Sequence, residues 1–99
     1  MPPVPDISRV ESDWLKRGFS CQTWTDPPGQ VWADFVHDVD EVVMTIEGEF
    51  EFEFDGKAIR PQPGEELVIP AGASHTVRNV GNSISRWLFG YREDSALTN

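Results

Sequence analysis

The sequence predicts an all-β sandwich or barrel carrying one short N-terminal helix, and that prediction rests on three features. From Phe19 onward the apolar runs are short and punctuated by Pro, Gly, Asp and Asn, with no second helical stripe. Residues 49–54, Glu-Phe-Glu-Phe-Glu-Phe, alternate without error, as a half-buried strand must. About eight such segments follow one another at close spacing, the pattern of a sandwich or barrel, and pattern alone leaves the Greek-key topologies open. Ninety-nine residues make one domain with room for a two-layer core but not for a separate cofactor domain.

Residues 1–18 read as an N-terminal arm and helix. Residues 1–7 hold three prolines and are expected to extend, placed to pack on a partner subunit. Ser8-Arg9-Val10-Glu11 has the spacing of a capping box, and Val10, Trp14 and Leu15 recur as an apolar stripe before Gly18 ends the helix. Residues 19–92 form the β domain. A strand over 19–25 closes in the loop Asp26-Pro27-Pro28-Gly29, and a second over 31–37 carries Trp32 and Phe35. Residues 42–46, Val-Val-Met-Thr-Ile, are apolar on both alternating faces, so both faces need cover. A lone small barrel has one interior, and the simplest second cover is another copy, so a homodimer is expected. Residues 49–54 then put three phenylalanines on one face and three glutamates on the other, and Asp55-Gly56 suits a tight turn into 57–60. Residues 66–69, 74–80 and 86–91 supply the last strands, and 93–99 read as a frayed tail.

A net charge of -9 with eight scattered basic residues argues against nucleic acid and anionic membrane as partners. The opening Met-Pro-Pro-Val-Pro lacks a signal pattern, and no run approaches the roughly 18 apolar residues of a membrane span, so a cytoplasmic protein is expected. Cys21 stands alone, which rules out an intrachain disulfide or a thiolate metal cluster. It reads as a small buried hydrophobe.

The chemistry gathers in two stretches. One runs Gly64-Glu-Glu-Leu-Val-Ile-Pro70-Ala-Gly72-Ala-Ser-His75-Thr-Val-Arg-Asn79: a strand, a turn set by Pro70 and Gly72, and a strand with a histidine just past the turn. The other is His37-Asp38-Val39-Asp40-Glu41, followed by an apolar run and Gly48. At these residues the chain resembles the cupin superfamily. The second cupin motif, G-x5-P-x-G-x2-H-x3-N, is filled at every position by Gly64, Pro70, Gly72, His75 and Asn79. The first is matched in part. His37 fits its second histidine, Glu41 and Gly48 have the required spacing, and Phe35 stands where the first histidine belongs.

This resemblance, covering most of residues 29–79, implies a double-stranded β-helix or jelly-roll barrel, with His37, Glu41 and His75 as three of the usual four metal ligands. Two imidazoles and one carboxylate suit a divalent transition metal, Fe, Mn, Ni, Zn, Co or Cu, and suit calcium poorly. Strand alternation puts Phe35 on the face of His37, projecting toward the pocket. Asp34 could ligate only from a bulge that turns it inward. Asp38 and Asp40 read either as partners that orient an imidazole or as solvated loop carboxylates. Trp24, Trp32 and Trp87 read as core residues, with a pocket or an interface as the other reading. Gly48, Gly64, Gly72 and Asn79 read as structural. Catalytic residues are left unassigned, and no Ser-His-Asp set or phosphate-binding glycine loop is present. The expectation is a metal-dependent enzyme, dioxygenase- or isomerase-like, acting on a small molecule inside the barrel. The alternative is a cupin that binds or senses a small molecule without catalysis, and a barrel that has lost its site is a third reading.

Overall fold

The structure, a computed structural model, describes residues 4–93. Helix α1 (Ile7–Lys16) starts earlier than the capping-box reading placed it. Asp6 is the N-cap, its carboxylate accepting from the amides of Ser8 (3.1 Å) and Arg9 (3.4 Å). An aspartate there caps at least as well as a serine, so Ser8 falls into the first turn and the extended arm is shorter than expected. The C-cap is Arg17, and Gly18 follows at φ 89°, a left-handed stop. The buried stripe is Ile7, Val10 and Trp14, whereas Leu15, expected in it, is 56% exposed.

Eight strands follow: β1 (Gln22–Asp26), β2 (Val31–Phe35), β3 (Glu41–Glu47), β4 (Phe50–Phe54), β5 (Lys57–Ile59), β6 (Glu66–Ile69), β7 (His75–Asn79) and β8 (Ser85–Tyr91). They form two antiparallel four-stranded sheets, ordered β1-β8-β3-β6 and β2-β7-β4-β5. Of the strands consecutive in sequence, only β4 and β5 lie side by side, joined at Asp55 and Gly56, both at positive φ. All other pairings join strands distant in sequence, and that interleaving is the jelly roll the resemblance implied. The strand expected over 19–25 begins only at Gln22, with Phe19 reduced to an isolated bridge to Arg92. The strand expected to reach His37 stops at Phe35. The tail expected over 93–99 lies outside the described residues beyond Glu93.

Val43, Phe50, Phe52, Ile69, Val77 and Trp87 fill the space between the sheets. The two-sided burial of β3 is present, since every residue from Glu41 to Ile46 is buried. Its outer cover is the chain's own helix, not the second subunit expected to supply it. Val42, Met44, Ile46 and Leu88 pack against Trp14 and Phe19, with Ile7, Val10 and Cys21 around them. The helix is clipped to the edge strand β6. Glu66 accepts from the Trp14 indole at 2.9 Å and from both terminal nitrogens of Arg17 at 2.8 and 2.6 Å. These contacts hold the Glu66 carboxyl below its ordinary range, Arg17 contributing most and partial burial opposing it.

Candidate metal centre

The ends of three segments bring the candidate ligands together. His37 sits in the connection from β2 to β3, which crosses from one sheet to the other. Glu41 opens β3, and His75 opens β7 in the opposite sheet. Each segment is fixed by backbone contacts. Gly72, at φ 83°, lets the chain reverse after Pro70, and its amide donates to the carbonyl of His37 at 2.8 Å. The Asp40 carboxylate accepts from the amide of Ala71 at 2.8 Å, so Asp40 secures this turn rather than orienting an imidazole. The turn that places His75 is thus tied to the loop that places His37.

One ligand atom from each of the three lies within 4.8 Å of the others. Nε2 of His75 is 3.1 Å and Nε2 of His37 is 3.5 Å from Oε1 of Glu41. While His75 is neutral with its proton on Nδ1, neither contact satisfies this oxygen, which is then buried without a hydrogen-bond donor among the described residues. A carboxylate oxygen left so, on a residue only 3% exposed, is costly unless a cation completes it. Nδ1 of His75 donates to the carbonyl of Ala73 at 3.1 Å, which leaves Nε2 facing Glu41 with its lone pair in the neutral ring. Burial pulls the His75 pKa down, but the neighbouring Glu41 carboxylate and the Ala73 carbonyl outweigh it, and the net direction is up. The donor set therefore fits a single transition ion.

Phe35 lines the site as expected, its ring stacked on His37 at 6.2 Å and 11° and lying 6.3 Å from His75. A bulge between Trp32 and Phe35 is present, with Asp34 at φ 60°. It leaves Asp34 exposed, with its amide donating to Thr76, and outside the ligand group.

Beside the triad opens a cavity of about 170 Å³. Trp24, Trp32 and Trp87 all line it: Trp87 is at once core, as expected, and cavity wall, Trp32 packs against that core, and only Trp24, 44% exposed, belongs to the pocket rather than the core. Phe89 and Tyr91 line it too and were missed. Their signal was available: Trp87, Phe89 and Tyr91 are spaced two apart on one strand and must share a face. Tyr91 meets His37 edge-on at 4.7 Å, and burial together with the Glu41 charge pushes its phenol up. Asp26 was missed as well. It is 2% exposed and accepts from the indole of Trp32 (3.1 and 3.2 Å) and that of Trp87 (3.0 Å).

Gly48 and Asn79 are structural, and they stand at the opposite ends of β3 and β7 from the ligands Glu41 and His75. A Cβ on Gly48, at φ 91°, would fall onto the side chain of Ser85, so no other residue fits there. Asn79 donates to the carbonyls of Asp26, Pro27 and Ser83 at 3.0–3.2 Å and accepts from the amide of Gly81 and the hydroxyl of Ser85. One side chain pins two loops to β7.

Comparison with known proteins agrees with this fold. The chain is 28% identical over 105 residues to polyketide synthase CurC of Streptomyces cyaneus, covering 89% of this chain and 68% of that protein. A conserved protein of Streptococcus pyogenes superposes with a TM-score of 0.68 at 21% identity, over 77% of this chain and 65% of its own. The DMSP lyase DddQ of Ruegeria pomeroyi superposes with a TM-score of 0.68 at 24% identity, over 79% of this chain and 40% of its own. This chain thus spans less than two thirds of either solved structure, and what it shares with them is the fold. The sequence model of the cupin domain matches residues 22–91, from the first strand to the last. The chain belongs to the cupin domain family.

Proposed function

We propose that this protein is a metal-dependent enzyme that holds one divalent transition ion on His37, Glu41 and His75 and acts on a small molecule in the adjoining cavity. The observation that carries the reading is the buried, donor-less Oε1 of Glu41 between two imidazoles. A bound ion of this kind supplies Lewis acidity or redox chemistry, which is compatible with a dioxygenase- or isomerase-like reaction. The chain's own contribution is placement: the Pro70–Gly72 turn and the Ala73 carbonyl fix the orientation of His75, and the aromatic lining shapes an apolar cavity beside it. The relative named a polyketide synthase makes a polyketide-related molecule a candidate for the ligand.

Elemental analysis of the purified protein tests this, with His37→Ala and His75→Ala beside the wild type. Near-stoichiometric metal in the wild type and its loss in both variants is the expected result. A wild type that stays metal-free after incubation with iron, manganese, nickel and zinc would overturn it. A second reading, a non-catalytic cupin that binds or senses a small molecule, is favoured by one specific observation. Phe35 occupies the edge of the site at 40% exposure, where the resemblance leads one to expect a fourth ligand.

A further inference from the structure

The cavity has two chemically distinct ends. His37, Glu41 and His75 gather at one, with Tyr91 against His37. The remainder is walled by Trp24, Trp87 and Phe89 from one sheet and Trp32, Phe35 and Val77 from the other. Rings therefore face the cavity from both layers of the sandwich. Two of these rings are not free to present their polar edge. The buried carboxylate of Asp26, at the end of β1, takes the indole N–H of Trp32 and of Trp87 together. An indole N–H oriented to a buried acceptor points away from the ligand space, so both tryptophans offer the cavity carbon and π surface only. The lattice of rings is continuous: Trp24 meets Trp32 edge-on at 6.2 Å, Trp24 meets Phe89 at 6.3 Å, and Trp87 meets Phe89 at 5.1 Å. Rotating one indole disturbs the next.

We infer that the cavity selects a flat aromatic ligand bearing one oxygen donor, and that Asp26 is the positioning residue that sets this selectivity by holding Trp32 and Trp87. The oxygen lies at the triad end and the ring system lies between the aromatic walls. The oxygen contact rests on the metal-centre reading above; the preference for a flat ring does not. An aromatic ligand gains ring–ring contacts that a saturated one of equal size cannot make, and two or three such contacts amount to about tenfold or more in affinity. Asp26 touches no ligand in this arrangement and acts through the two indoles.

The test is calorimetric titration of the intact, metal-analysed protein with 2-naphthol and with trans-2-decalol, its saturated counterpart. Wild type is expected to bind 2-naphthol at least tenfold more tightly. Asp26→Leu, which leaves both indoles without their acceptor, should erase most of that ratio by weakening 2-naphthol alone while metal content stays unchanged. Asp26→Asn keeps one acceptor oxygen and should fall between, and it carries the variant arm should the leucine variant not fold. Equal affinity for the two probes in wild type overturns the inference, as does an unchanged ratio in the variants. A wild type without metal that still prefers 2-naphthol sinks the metal-centre reading and the oxygen contact that rests on it, and leaves the preference for a flat ring standing. Bound metal without that preference sinks this inference alone.

Discussion

Removing the indole of Trp14 tests whether the helix is the outer wall of the barrel. Trp14 is fully buried, packed against Val42, Met44, Ile46 and Leu88, and its N–H donates to Glu66. Trp14→Ala strips the largest side chain from that outer core, at a cost of about 3–5 kcal/mol. A domain of this size holds a total of about 5–15 kcal/mol and loses roughly 4–8 °C of Tm per kcal/mol, so the midpoint should fall by at least ~12 °C. Trp14→Phe keeps most of the buried ring and leaves Arg17 on Glu66, and should cost only about 1–2 kcal/mol. Leu15→Ala, one residue along but exposed, should stay within about 0.5 kcal/mol. Thermal and urea denaturation followed by circular dichroism read all three. A Trp14→Ala loss below about 1 kcal/mol, or a Leu15→Ala loss equal to it, would refute the argument that α1 covers β3.

Asn79→Ala removes the anchor of two loops and should cost about 2–4 kcal/mol in the same assay, because buried carbonyls lose their donor. Glu66 has a depressed pKa in the folded protein, so its stabilisation is full above its ordinary value of 4.5 and is lost as pH falls through the folded value. Glu66→Gln should therefore flatten the acid limb of a Tm-against-pH curve, by no more than about 1 kcal/mol for a group still partly open to solvent. Phe35→His places an imidazole beside His37 and His75, and should raise metal affinity about tenfold, on the order of 1.4 kcal/mol, in competition against a fluorescent chelator.

The strands were legible because their signals are local. The Phe50–Phe52–Phe54 alternation, the Asp55-Gly56 turn and the motif from Gly64 to Asn79 each specify a few residues of backbone, and all three appear where the pattern put them. His37, Glu41 and His75 were legible through the motif, and the structure brings them together. What failed was whatever depends on which distant segment supplies a contact. The apolar run in β3 announced that two covers were needed but not that the second was Trp14, some thirty residues upstream in the same chain. Asp26 carried no pattern at all: a carboxylate beside Pro27 reads as loop, and only the fold shows the two indoles, at Trp32 and Trp87, that converge on it. A tryptophan count alone could not say where those N–H groups find their acceptor.

The distribution of the four tryptophans gives the protein a built-in optical reporter. Trp24, Trp32 and Trp87 all border the cavity, and Trp14 alone stands on the far side of β3 beneath the helix. Three of the four indole emitters thus border the pocket. In a Trp14→Phe background every remaining emitter looks into the ligand space, so quenching by a soluble probe would read pocket occupancy directly, without label or dye.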